Sequence, residues 1–150
     1  MSILPFDQRE GSIWFDGQIV PWKEARAHVL THGLHYGSST FEGERAYAGT
    51  IFKSREHSER LIASARILDF EIPFTADQLD AAKQQTVEAN GFSDCYVRPV
   101  AWRGSEMMAV AAQHSTNHVA VSYTSLRAHE TPERPVRRRP SEQDIRNRIC

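Results

Sequence analysis

Residues 31–47 read THGLHYGSSTFEGERAY and combine glycines, aromatics, histidines and an arginine without helical or strand periodicity. The glycines are Gly33, Gly37 and Gly43. They allow backbone conformations and close approaches that larger residues resist. Tyr36, Phe41 and Arg45 add two aromatic surfaces and a permanent cation. This composition predicts a binding loop, and a plain glycine-rich connection between two strands is the alternative that residue chemistry leaves open.

A second candidate lies in residues 96–110, YVRPVAWRGSEMMAV, where Arg98 interrupts a segment of β-branched and aromatic residues. An arginine in a strand either points to solvent or faces inward and needs an anionic partner, such as a substrate carboxylate. Tyr96 lies two positions earlier and therefore shares a strand face with Arg98. The two side chains could together bind one small anion, and both orientations of Arg98 remain open.

The chain has three lysines, and none lies in an apolar segment. Lys23 follows Trp22 in a polar turn, Lys53 ends a short predicted strand, and Lys83 falls in the polar pattern AAKQQTVEAN. A lysine acts as a nucleophile near neutral pH when apolar or cationic surroundings lower its pKa. We therefore expect all three to be solvated surface lysines.

Histidines and glutamates in the first candidate segment offer two further possibilities. His28, His32 and His35 have a spacing that would place two imidazoles on one helix face, but glycines interrupt it and no carboxylate or cysteine set accompanies them. Glu42 and Glu44 are two residues apart, and we expect a specificity role or solvated charges rather than an acid/base pair. The sequence predicts no metal site.

Two tight hairpins are predicted in the first third of the chain. Residues 13–20 place an Asp-Gly pair between IWF and QIV, which is a favoured turn between apolar strands. Residues 46–52 repeat the arrangement around an Ala-Gly pair.

A helix is expected to start at Ser54, whose side chain can cap it. Leu61, Ala65 and Leu68 then fall on one face at helical spacing. Arg60 is adjacent to that apolar face, so its side chain can reach the helix edge.

Thr75 and Gln78 fit a capping box that opens a second helix, and Gly91 is a plausible stop. Strands are predicted at residues 95–102 and 118–123. Hairpins, two adjacent helices and further strands indicate an α+β domain with a mostly antiparallel sheet.

Composition is that of one small domain: 150 residues with 40% hydrophobic content can build a core. A net charge of -1 argues against general nucleic-acid binding, because the duplex backbone attracts clustered positive charge. Cys95 and Cys150 are too few for a disulfide framework. No stretch is apolar enough to span a membrane, and the first residues show no secretory pattern. We expect a soluble, cytoplasmic protein.

The character changes at about Ser122, so we divide the chain into a domain of residues 1–121 and a tail of residues 122–150. Residues 127–150 contain seven arginines and three prolines, a composition that buries too little surface to become ordered. The tail is either a terminus without a selected role or a basic segment for RNA or acidic partners.

Four motifs in order give the region from residue 12 to residue 121 a family resemblance: IWFDGQIV, HGLHYGSSTFEGERAY, REHSERL and YVRPVAWRGSEMM. The chain resembles the N-terminal domain of branched-chain aminotransferases, in the class IV group of pyridoxal-phosphate enzymes. That resemblance implies amino transfer between a branched-chain amino acid and 2-oxoglutarate on pyridoxal 5'-phosphate. It also implies a homodimer in which the loop that contains Tyr36 helps to line the neighbour's pocket.

The resemblance also implies residue roles. Arg60 matches the arginine that holds the cofactor phosphate, and Tyr96 with Arg98 matches the pair near the carboxyl group of the dicarboxylate. The substrate-side positions are Tyr36, Phe41, Gly43, Arg45, Tyr96, Arg98 and Val110.

One departure from the family pattern is expected to matter. The lysine that forms the Schiff base in such enzymes lies in a second domain, beyond the last residue of this chain, so we expect no catalytic residue here and an inactive isolated chain. Three alternatives remain: a non-catalytic remnant or binding module of the same fold, a D-amino acid aminotransferase, and an aminodeoxychorismate lyase.

Overall fold

The structure is a computed structural model that describes residues 5–125. Its strands are β1 (Ser12–Phe15), β2 (Gln18–Pro21), β3 (Ser39–Phe41), β4 (Glu44–Tyr47), β5 (Thr50–Ile51), β6 (Cys95–Arg103) and β7 (Asn117–Ser125). Its α-helices are α1 (His32–Tyr36), α2 (Ser54–Ile67) and α3 (Ala76–Ala89). Single 3₁₀ turns lie at Phe6–Gln8 and Trp22–Glu24. Within this range no helix is long and apolar enough to cross a lipid bilayer.

Both predicted hairpins are confirmed. Asp16 and Gly17 connect β1 to β2 with φ angles of 46° and 98°, and Ala48 and Gly49 connect β4 to β5 with 47° and 79°. Positive φ at both central residues gives the turn a twist that matches the twist of the paired strands.

All seven strands form one antiparallel sheet in the order β2-β1-β7-β6-β4-β5, and β3 pairs with the second half of β6. The nine-residue β6 pairs with β7 along its whole length, from Cys95 opposite Ser125 to Arg103 opposite Asn117. The α+β class with a mostly antiparallel sheet is thereby confirmed. Strand β6 is the central strand, because it also pairs with β3 and β4 on its other edge.

Two predicted boundaries were wrong. The glycine-rich segment of residues 31–47 is not one loop, because it folds into α1, which ends at Gly37 with a φ of 70°, and into β3 and β4. Residues 122–125 belong to β7 rather than to the tail, because they continue the β6 pairing. The rest of the predicted tail, residues 126–150, lies outside the described residues.

The predicted N-terminal cap is present at α3 but not at α2. At α3 the predicted capping box is confirmed: the Gln78 amide donates to Thr75 Oγ1 at 3.2 Å, and the Thr75 amide donates to Gln78 Oε1 at 2.8 Å. Ser54 does not cap α2, because Lys53 precedes the helix in the left-handed region and Ser54 is its first residue. The Ser54 hydroxyl donates instead to the Asp80 carboxylate at 2.8 Å, which ties α2 to α3.

Helices α2 and α3 cover one face of the sheet and enclose the core. Leu61 and Ala65 on α2 and Leu79 on α3 are fully buried against inward residues of the central strands, including Val97. Leu68 follows the end of α2 and is 40% exposed, so its predicted place on the buried face was wrong.

Lys83 is the largest correction, because its side chain is completely buried. Its ammonium donates to both carboxylate oxygens of Glu44, at 3.1 and 2.9 Å, and to the Ser54 carbonyl at 2.7 Å, and it lies 3.1 Å from Asp80 Oδ1. On α3 it follows Leu79 by four residues and so faces the sheet. Lys23, by contrast, is half exposed beside Glu10, and Lys53 is exposed.

The two carboxylates that contact Lys83 have pKa values shifted in opposite directions. Burial raises the pKa of Glu44 above its usual value, although Lys83 acts in the opposite direction. Burial also tends to raise the pKa of Asp80, but hydrogen bonds from Ser58, Ser54 and Lys83 hold that pKa below its usual range. Hydrogen bonds and opposite charges within the group of Lys83, Glu44 and Asp80 therefore take the place of solvent.

We expect Lys83→Met to destabilise the domain by about 3–5 kcal/mol, because it leaves Glu44 buried without its cation. Adding Glu44→Gln should recover part of that loss. The control is Lys23→Met, which should stay within about 0.5 kcal/mol of the wild type. Urea unfolding of the full chain measures all three, and equal effects at Lys83 and Lys23 would contradict the buried pair.

Candidate functional site

The face of the sheet opposite α2 and α3 carries most of the predicted site residues. Along β6, alternation buries Val97 and Pro99 on the helix side and turns Tyr96 and Arg98 to the other side. Arg45 on β4 is directly opposite Tyr96 and lies on the same outer face. The sheet register therefore brings residues far apart in sequence onto one surface.

Phe41, Tyr96 and Arg98 form a contact cluster on this outer face. The Arg98 Nη2 donates to the Tyr96 hydroxyl at 3.1 Å, and the guanidinium carbon lies 4.5 Å from the centre of the Phe41 ring. Arg98 is exposed, so of the two orientations left open it takes the solvent-facing one. Beside it lies a groove of about 530 Å³ that Tyr96, Arg98, Trp22 and Tyr123 help to line. An exposed, aromatic-supported guanidinium at a groove is suited to bind a carboxylate.

Gly43 permits the position of Tyr96. A Cβ at residue 43 would lie 2.1 Å from the Tyr96 hydroxyl oxygen and 3.0 Å from the ring carbon that bears it. A side chain at residue 43 would therefore force the Tyr96 ring to shift. The glycine is therefore required for close approach rather than for an unusual φ.

Arg45 lies at the margin of the cluster. Its guanidinium carbon is 4.9 Å from the centre of the Tyr47 ring, on the same strand and face. Arg45 therefore lies opposite Tyr96 on the outer face of the sheet, and its guanidinium extends toward Tyr47 on β4.

Arg60 on α2 is held by Glu42, the residue that follows β3. Its Nε and Nη2 each donate to one oxygen of the Glu42 carboxylate at 2.6 Å, and His57 Nδ1 lies 2.9 Å from that carboxylate. Glu42 is 7% exposed, so of the two predicted alternatives, a specificity role or a solvated charge, the solvated charge was wrong. The Arg60 hydrogen bonds hold the pKa of Glu42 below its usual value against the effect of burial, and His57 adds to this.

The Arg60 guanidinium retains capacity for a second anion. Glu42 engages Nε and Nη2, Nη1 has no hydrogen bond within residues 5–125, and the side chain is 64% exposed. A phosphate could therefore approach from solvent without displacing Glu42. Arginine geometry suits a phosphate group, so this residue fits one end of a phosphorylated cofactor.

Tyr36 lies on α1, and Val110 lies in the segment between β6 and β7. Buried His32 connects α1 to that segment: its ring centre is 4.5 Å from that of Tyr36 at an interplanar angle of 31°, and its Nε2 donates to the Ala109 carbonyl at 3.0 Å. Its Nδ1 lies 2.5 Å from the Ser38 hydroxyl, which therefore donates to it. Tyr36 is 46% exposed and Val110 83%. The sequence indicated His32 only as a possible metal ligand. Its four-residue spacing from Tyr36, which places both on one helix face, could have predicted the ring contact.

His32 is fully engaged by these contacts. No group of three histidine, cysteine or acidic side chains in the described range is placed to hold a metal ion.

Comparison with known proteins places this chain and its fold in a family. The family model described as amino-transferase class IV matches residues 39–149. The chain belongs to the class IV aminotransferase family. Relatives that it matches within that family include proteins named branched-chain-amino-acid aminotransferase. A probable branched-chain-amino-acid aminotransferase of Rickettsia felis is 43% identical over 127 residues, which are 84% of this chain and 44% of the relative.

Solved structures agree. The branched-chain aminotransferase of Thermoproteus uzoniensis with norvaline is 37% identical with a TM-score of 0.74, over 78% of this chain and 41% of that one. The branched-chain amino acid aminotransferase of Escherichia coli is 34% identical with a TM-score of 0.74, again over 78% and 41%. This chain thus spans less than half the length of these relatives. The predicted resemblance and fold are confirmed.

We expect Gly43→Ala to destabilise the domain by about 1–3 kcal/mol, because the new methyl group overlaps the Tyr96 hydroxyl. Tyr96→Phe should offset part of that loss, since it removes the nearest atom. The control pairs Gly43→Ala with Tyr47→Phe, which removes an exposed hydroxyl from the same face. Urea unfolding of the single and double variants measures the coupling, and additive losses for Gly43 and Tyr96 would contradict the contact.

Proposed function

We propose that this chain is the N-terminal part of a transaminase that exchanges an amino group between a branched-chain amino acid and 2-oxoglutarate on pyridoxal 5'-phosphate. The observation that carries the proposal is the placement of residues 41–43. Phe41 supports Arg98, Glu42 holds Arg60, and Gly43 receives Tyr96. Three consecutive residues thereby link a candidate phosphate contact to a candidate carboxylate contact.

The arginines have separate proposed roles. Arg60 binds the cofactor phosphate through Nη1, while Glu42 keeps the guanidinium in place. Arg98, with the Tyr96 hydroxyl, binds the distal carboxylate of 2-oxoglutarate in a charge-assisted hydrogen bond. When bound, the cofactor supplies the electron sink for amine transfer. Gly43, Phe41 and Arg45 shape and charge the wall around these contacts.

The lysines of this chain do not suit covalent attachment to a cofactor. Lys83 is completely buried, and its ammonium is ion-paired with Glu44. Lys23 is half exposed beside Glu10, and Lys53 is exposed at the start of α2. We therefore propose that the chain by itself holds cofactor weakly through Arg60 and performs no transamination. This observation also favours the second candidate function, a binding module that lacks the chemistry.

Self-association is part of the proposal. Leu34 and Tyr36 of α1 are 68% and 46% exposed, and Met108 and Val110 are 65% and 83% exposed in the segment that His32 attaches to α1. We call these four residues the Tyr36 surface. Exposed apolar residues of this kind favour association. We propose a homo-oligomer in which the Tyr36 surface serves a neighbouring copy.

We expect transamination when residues 1–125 are fused to the remaining part of the Escherichia coli relative, and none in the chain alone. In the fusion, Arg60→Ala should weaken cofactor retention by about tenfold or more, the effect of losing a charge-assisted contact. Arg98→Ala should raise the KM for 2-oxoglutarate more than the KM for leucine, which has no distal carboxylate.

The control for this experiment is Arg55→Ala, which removes an exposed arginine of α2 that pairs with Glu59. It should change neither cofactor retention nor either KM. Equal losses for both substrates with unchanged cofactor binding would show that Arg60 and Arg98 are structural. Glutamate formation by the isolated chain, above a control without protein, would contradict the proposed inactivity.

We expect the chain to sediment as a dimer or larger species at micromolar concentration, because the Tyr36 surface is apolar. The double variant Leu34→Glu with Val110→Glu should shift it toward monomer. Phe52→Glu is the matched control, since Phe52 is 59% exposed and follows β5, near the Cys95 end of β6. The His32 amide of α1 donates to the Gly104 carbonyl, beyond the opposite end of that strand. Sedimentation velocity under reducing conditions measures this, and a wild-type monomer would contradict the proposal.

A further inference from the structure

A second groove, of about 450 Å³, lies where the C-terminal end of α2, the end of β6 and the segment before β7 meet. Its lining includes Arg66, Arg103, Val110 and Ser115. It shares no lining residue with the groove beside Arg98. The groove is therefore a separate feature from the carboxylate contact proposed above.

Arg103 is a buried cation with little compensation. Its side chain is 13% exposed, and Nη2 donates to the Asp69 carbonyl. The Asp69 carboxylate is 4.0 Å from Nη2 and fully exposed, and the Phe70 ring centre is 5.8 Å from the guanidinium. The buried Nε has no hydrogen-bond partner among residues 5–125. A buried charge is costly unless it is paired, so this guanidinium is suited to an external anion.

A second buried polar atom without a partner in the described part of the chain lines the same groove. The Ser115 hydroxyl is enclosed and makes no hydrogen bond there. Arg66, at the exposed edge, has its Nε 3.7 Å from the nearest Glu71 oxygen, beyond hydrogen-bond distance. Two arginines and one hydroxyl thus have donors to offer here. Buried polar groups without partners are rare in folded proteins, and two in one groove indicate a site for an acceptor.

We propose that this groove binds a small oxyanion, a carboxylate or phosphate group, through Arg103 Nε and the Ser115 hydroxyl. Arg66 contributes charge at the entrance. A water molecule would satisfy one donor but would leave the exposed Asp69 carboxylate, 4.0 Å away, as the nearest negative charge to Arg103. An oxyanion accepts both bonds and supplies a closer charge. Asp69 and Glu71 also line the groove, but both side chains are exposed, at 106% and 75%, so solvent screens their charge.

The test is a two-dimensional NMR titration of the full chain with inorganic phosphate and, in parallel, with acetate, each at ionic strength matched by sodium chloride. The reporters are the Arg103 Nε–H resonance and the Ser115 amide. Both should shift saturably with the same dissociation constant. Tighter binding of phosphate would identify a phosphate group as the natural partner, and tighter binding of acetate would identify a carboxylate.

Three variants locate the site, read at the Ser115 amide or its neighbours. Arg103→Met should weaken binding about tenfold or more, and Ser115→Ala by roughly threefold to tenfold, as expected for one charged and one neutral hydrogen bond. Arg60→Met is the control, because Arg60 offers the other candidate phosphate contact. It should leave binding in this groove unchanged.

Three results would overturn the proposal: no saturable shift at Arg103 or Ser115, an unchanged response in both Arg103→Met and Ser115→Ala, or loss of binding in Arg60→Met alone. If Arg103→Met does not fold, the anion affinity of Ser115→Ala, which retains the arginine, tests the proposal by itself.

Discussion

The ion pair between Glu42 and Arg60 is the interaction on which the proposed site depends. It connects α2, on one side of the sheet, to the segment that joins β3 to β4. The Glu42 amide also donates to the Pro99 carbonyl at 3.0 Å, so the same residue is attached to central strand β6. Because Glu42 is buried and accepts two hydrogen bonds from one guanidinium, its position is defined in both distance and angle.

A second ion pair lies two residues later, and both of its side chains are completely buried. Glu44 is fully enclosed with Lys83 of α3, so carboxylates on both sides of Gly43 are each attached to a different helix. Buried pairs of this kind contribute little net stability relative to an apolar core, but they penalise any register in which one partner lacks the other. We infer that the two pairs determine where Gly43 meets Tyr96. The aromatic support of Arg98 then follows from the β6 register.

The proposed substrate positions separate into two surfaces. Arg98 lies with Phe41 and Tyr96, whereas Tyr36 and the segment that contains Val110 are joined through buried His32 and its bond to the Ala109 carbonyl. The groove around Arg103 borders the second surface, because Val110 lines it. An anion bound in this groove would therefore lie close to Val110.

Local chemistry in the sequence was sufficient for the hairpins, the capping box at Thr75 and strands β6 and β7, because each depends on residues close together in the chain. It also identified the family, whose motifs are continuous. It could not determine the environments of Lys83 and Glu44, which looked polar and solvated. Their burial depends on a pairing between residues 39 positions apart, and only the packing of α3 on the sheet brings these two charges together.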